Sequence, residues 1–163
     1  MKRWAILAVA TSICLTVGGG TVAAPSQLLL LSPEEAARLR LGDGDYVAPP
    51  GVRGTTGPRI VVRAPVVRQT ADGAVIETTP ATRFFIVFEP NGAPVDMDSL
   101  EIKARKGVLS MSLTPRLKPF IEGSALKAES VTVPEGRFLI QIEILDTSGA
   151  RATERYRLDV RGS

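Results

Sequence analysis

Residues 136–160 carry the pattern that most restricts the fold. RFLIQIEIL places Phe138, Ile140, Ile142 and Ile144 at alternate positions, and DTSG interrupts the run. RATERYRLDV then resumes the alternation with Ala152, Tyr156, Leu158 and Val160. Period-two alternation puts successive side chains on opposite faces, so two such runs joined by a four-residue turn form a hairpin with one apolar face. That face has to be buried against another layer.

The same pattern extends upstream from residue 59. RIVVRAPVV is strand-like and broken by Pro65, which suits an edge position. AVIETTP follows a turn at Asp72 and Gly73. TRFFIVFEP has Phe84, Ile86 and Phe88 on one face and Phe85 and Val87 on the other, which predicts a central strand covered on both sides, with an N-terminal helix as the second cover. DSLEIKAR turns Leu100, Ile102 and Ala104 inward, VLSMSL groups Leu109, Met111 and Leu113, and Thr114–Pro115 opens one helical turn that Pro119 closes. ALKAESVTV is a weaker strand before the turn at Pro134–Gly136. The reading is an all-β fold: a single antiparallel sandwich of seven or eight strands over residues 59–161.

Ahead of the strands, Ser32, Pro33 and Glu35 form an S-P-x-E helix start and Gly42 a stop, giving a short N-terminal helix. Residues 42–59 are rich in Gly and Pro and read as a linker, with Asp43 and Asp45 in a solvated turn. Residues 24–58 are therefore helix plus linker. The first 23 residues have the layout of a secretory leader: Lys2 and Arg3, an apolar run, and small residues before a cut after Ala23, or alternatively Ala24. The apolar run is shorter than the ~20 residues that span a bilayer, so no stable membrane span is expected once the leader is cut. The expected address is the periplasm of a Gram-negative bacterium, with secretion as the alternative.

The leader changes the charge reading. The full chain is +3, and without Lys2 and Arg3 it has 18 basic against 17 acidic side chains, net +1. Nucleic-acid binding driven by net charge has no footing there. The chain has no histidine, and its one cysteine, Cys14, falls within the leader. Ser-His-Asp and Cys-His catalysis and the usual zinc ligand sets are thereby excluded from the mature part. Met97 and Met111 are too few for copper handling. No cofactor is expected.

GPRIVVRAPVV, TRFFIVFEPNGAPVDMDSLEIKA and VTVPEGRFLIQIEILDTSGARATERYRLDV resemble a bacterial immunoglobulin-like (Ig-like) domain, with a P-x-G turn into a long strand and a D-x-x-G hairpin before the last one. The resemblance covers residues 57–161. The chain lacks the cysteine pair and core tryptophan of antibody-type domains, and Phe138 stands where some members have a tyrosine. The resemblance implies a spacer, adhesion or binding module and carries over no catalytic residue.

Two surface features remain. In such a sandwich the strand at 98–105 neighbours that at 137–145, which neighbours 151–160. Their outward side carries Lys103 and Arg105, then Gln141 and Glu143, then Arg155 and Arg157. This net positive stripe is the candidate partner surface, for an anionic envelope polymer or an envelope protein. Cross-strand pairing with Glu143 is the structural alternative. The second feature is Asp96 and Asp98, two apart in VDMDS. They would serve a calcium-dependent carbohydrate binder or a carboxylate hydrolase only with further ligands or a cleft. Structurally, Asp98 would cap the turn and Asp96 would be solvated.

Overall fold

The computed structural model describes residues 27–45 and 56–162. The expected leader at 1–23 and part of the linker lie outside the described residues. The elements in chain order are β1 (Leu28–Leu29), α1 (Pro33–Leu39), β2 (Arg59–Ala64), β3 (Val67–Thr70), β4 (Gly73–Thr78), β5 (Ala81–Glu89), β6 (Val95–Lys106) and β7 (Leu109–Ser112). They continue with α2 (Thr114–Leu117), β8 (Ile121–Glu122), β9 (Ala125–Thr132), β10 (Gly136–Asp146) and β11 (Arg151–Val160).

The strands form two sheets, one ordered β1-β9-β5-β2 with β8 also on β9, the other β3-β4-β11-β10-β6-β7. The expected all-β sandwich is what the chain forms. It holds eleven strands among the described residues, against the seven or eight expected, because β1 and β8 are two-residue strands too short to show periodicity and the run at 59–67 divides at Pro65 into β2 and β3. Two pairings, β1 with β9 and β4 with β11, are parallel and not antiparallel. Neither pair is joined by a hairpin, so no tight turn dictates the direction.

Most of the core strand positions are those predicted by alternation; Leu109, grouped with Met111 and Leu113, is instead 53% exposed. Phe138 and Ile144 are fully buried, Ile140 and Ile142 nearly so, facing Phe88, Ile86, Leu126 and Val131 across the sandwich. Burying each such side chain contributes about 1.5–3 kcal/mol. Pro65 does more than mark an edge. It follows a cis Ala64–Pro65 bond at the point where the chain leaves β2 and begins β3. These strands lie at the edges of different sheets.

The helix forms for the stated reason: Ser32 Oγ accepts from the Glu35 amide at 3.2 Å, and Glu35 Oε2 accepts from the Ser32 amide at 2.8 Å. It does not serve as the second cover of β5. It packs chiefly on β6, with Ala36 and Leu39 buried in the shared core. Phe85 and Val87 are consequently only half-buried. β1 just before the helix is hydrogen-bonded to β9, so the sequence preceding the linker is part of the sandwich.

Candidate functional site

The strand order places the six surface residues as the alternation implies. β10 lies between β6 and β11, and Gln141 is directly opposite Lys103 on one side and Arg155 on the other. Arg105 and Arg157 are both opposite Leu139, one residue pair along. Ser110 of β7 is opposite Arg105.

Hydrogen bonding divides these residues into two groups. Lys103 Nζ meets Glu101 at 2.7 Å. Glu143, the acid in the stripe, pairs with Arg151 at 3.1 Å and with no basic residue of the stripe. Arg157 Nε meets Asp159 at 3.1 Å. The carboxylates along this face are thus each engaged by a cation other than Arg105 or Arg155.

Arg105 and Arg155 instead share one neutral acceptor. Arg105 Nη1 donates to Gln141 Oε1 at 2.9 Å, and Arg155 Nε donates to the same oxygen at 3.2 Å. Gln141 is only 7% exposed although it faces outward, because the two guanidinium groups roof it. Its amide is oriented by Nε2, which donates to Glu143 Oε2 at 3.4 Å. With Glu143 held by Arg151, the carbonyl end of Gln141 has to face the arginines. Donors that share one oxygen lie within about 6 Å of each other, where two like charges repel by ~3 kcal/mol at an effective dielectric near 20. An amide dipole offsets part of this and cancels neither charge. An anion placed over the pair would relieve it.

Two nearby basic residues, Lys106 and Arg116, are committed elsewhere. Lys106 Nζ donates to the Arg40 carbonyl at 2.7 Å and pairs with Asp45 at 3.4 Å. Arg116 holds Glu35. Asp43 and Asp45, expected in a solvated turn, bind the stretch after α1 onto the second sheet. Asp43 accepts from Arg137, and Asp45 accepts from the Gly42 amide at 2.8 Å as well as pairing Lys106. The Gly42 amide, then Lys106, lower the Asp45 carboxyl below its ordinary pKa.

The aspartate pair has its roles exchanged. Asp96, not Asp98, makes the turn: its Oδ1 accepts from the Asp98 amide at 3.1 Å. The Asp96 carbonyl takes the Ser99 hydroxyl at 2.6 Å, and Ser99 Oγ in turn accepts the Leu145 amide at 2.8 Å. These bonds settle the irregular pairing between β6 and β10 near Leu145. Among the described residues, no three histidine, cysteine or acidic side chains come together as a metal site.

The interior offers an apolar cavity of about 40 Å³ lined by residues including Phe84, Ile86, Ile102, Ile140 and Tyr156. Small-molecule pockets are typically ~300–1,000 Å³. The chemistry with unspent capacity is on the sheet face. The molecule is defined by these two features, an all-β sandwich and a face on which two arginines converge without a carboxylate.

Comparison with known proteins adds little to that description. No family model matches the chain, and no curated protein matches it. Among solved structures, murine CRIg, an Ig-like domain, aligns with 63% of this chain and 98% of its own, at 9% identity and a TM-score of 0.36. Among the described residues, no helix is long and apolar enough to cross a membrane.

Proposed function

We propose that this chain is an exported, non-catalytic Ig-like module of the Gram-negative cell envelope, and that it works by binding an anionic envelope polymer on the face formed by β6, β10 and β11. One observation carries the reading: Arg105 and Arg155 both spend a donor on Gln141 and meet no carboxylate of that face. Export rests on the leader-like first 23 residues, with Lys2 and Arg3 ahead of an apolar run.

A polymer is favoured over a protein patch by what surrounds the arginines. Interface cores between proteins are built on large apolar and aromatic anchors. Among the described residues, the large exposed apolar side chains Leu29, Val66, Val108 and Leu109 sit on β1, at the β2–β3 crossing, in the β6–β7 turn and at the start of β7. Leu109, one register position from Arg105, is turned to the other face of the sheet by alternation.

The test is retention on isolated envelope material at low salt, comparing wild type with Arg105→Gln/Arg155→Gln. Loss of retention in the variant, with a wild-type circular dichroism spectrum, supports the reading. Equal retention overturns it. Retention that depends on the arginines but survives removal of the polysaccharide and is abolished by protease identifies a protein partner and overturns the polymer assignment.

A further inference from the structure

The arginine pair also restricts the kind of anion. Two guanidinium groups carry two full charges, and Gln141 supplies only a neutral oxygen between them. A carboxylate has one charge and two coplanar oxygens, enough for a single guanidinium fork. A phosphate monoester above its second ionisation has nearly two charges and three terminal oxygens in a tetrahedral array. It can accept from both groups at once, as their approach to one oxygen from the two strands flanking β10 requires. Ser110, opposite Arg105 on β7, adds a hydroxyl on the same side.

We infer that Arg105 and Arg155, set by Gln141, form a binding site for a dianionic phosphate monoester carried on an envelope saccharide. The inference rests on the anion-binding reading above and names its ligand class. Gln141 is a positioning residue in it. Its carbonyl draws the two guanidinium groups together while leaving their charge intact.

A pH signature follows from composition. The chain has no histidine. The groups around the site are Glu101 and Lys103 on β6, Arg137 and Glu143 on β10, and Arg151, Arg157 and Asp159 on β11. Without the one side chain whose ordinary pKa falls in the middle of the pH 5–8 range, the site predicts that affinity there follows the second ionisation of the ligand, near pH 6.

The experiment is an NMR titration of the protein, purified as the cell processes it, with glucose 6-phosphate and with glucuronate. It follows the arginine Nε–Hε and Gln141 side-chain amide signals. The site predicts that glucose 6-phosphate moves the Arg105, Arg155 and Gln141 signals, and that its affinity rises about tenfold from pH 5 to pH 7.5. Glucuronate binds at least tenfold more weakly at pH 7.5. Gln141→Glu, close to isosteric, cancels one of the pair's two charges from within and lowers affinity at least tenfold in a folded protein, whereas Lys103→Gln, which leaves both arginines on Gln141, lowers it by less. Equal affinity for glucuronate, or a loss in Lys103→Gln matching that in Arg105→Gln, overturns the site. Envelope retention that needs both arginines while glucose 6-phosphate moves neither signal overturns the phosphate assignment and leaves the anion-binding reading standing. Loss of both overturns the two together.

Discussion

Glu35 and Arg116 are joined by two parallel hydrogen bonds, Nη2 to Oε1 at 2.7 Å and Nη1 to Oε2 at 2.8 Å. Arg116 Nη1 also donates to the Leu30 carbonyl at 2.7 Å, while Glu35 closes the cap of its own helix on Ser32. One ion pair thus fastens β1, α1 and α2 together. The hydrogen bonds from Arg116, then the Ser32 amide, hold the Glu35 carboxyl at about 2 against an ordinary 4.5.

This pair gives the protein an acid-sensitive clasp. Because the folded-state pKa lies below the unfolded value, its stabilisation is complete above about pH 4.5 and is lost as pH falls toward 2. Both side chains are partly exposed, so solvent screening leaves an expected ~1–2 kcal/mol. Glu35→Gln should lower the unfolding free energy by that amount at pH 7 and flatten the decline between pH 4.5 and 2. Thermal melts at several pH values check it, and an unchanged acid slope would count against the clasp.

The N-terminal segment should matter to the whole domain. Leu39 is 3% exposed and lies in the shared core, and removing such a side chain typically costs 2–5 kcal/mol. Leu39→Ala should produce that loss in a single cooperative urea transition. A separate, early transition would show that α1 melts independently of the sheets.

Gly57 is packed against the backbone at the start of β11. A Cβ there would meet the Arg151 carbonyl carbon at 2.5 Å and the Ala152 nitrogen at 2.7 Å. Neither atom can swing aside as a side chain would. Gly57→Ala should therefore destabilise by about 1–3 kcal/mol, measured by denaturant unfolding. Gly92→Ser is an informative contrast at a turn: its positive φ of 106° penalises a side chain although nothing lies within 4 Å.

The β10–β11 hairpin depends on Asp146. Its Oδ1 accepts from the Ser148 amide at 2.9 Å, the Ser148 hydroxyl at 2.6 Å and the Ala150 amide at 2.9 Å. The Ser148 hydroxyl leads the causes that lower its pKa. Asp146→Ala should lower the melting temperature by ~5 °C or more, and Asp146→Asn, which keeps an acceptor, by less.

Strand alternation made much of the sheet legible in the sequence. Inward positions such as Ile102, Ile142 and Leu158 follow from period two, whereas the neighbouring of β6, β10 and β11 is an implication of the Ig-like resemblance, and the Gln141–Arg155 register comes from the structure. What alternation cannot supply is side-chain choice among several charged neighbours. Glu143 could have met Arg155 or Lys103, and it meets Arg151, which leaves the arginine pair on Gln141. Asp96 and Asp98 were exchanged for a similar reason, since either carboxylate is close enough in sequence to cap that turn. The helix start was readable from Ser32 and Glu35, but its docking was not. That depends on Arg116, 81 residues away from Glu35.

The most direct test of the account is a comparison of wild type and Gln141→Glu for retention on isolated envelope material at low salt, together with thermal melting. The added carboxylate sits where Arg105 and Arg155 already point and gives up the donor to Glu143, so the account predicts a variant that still melts cooperatively and has lost retention. Retention equal to wild type in that folded variant would contradict it.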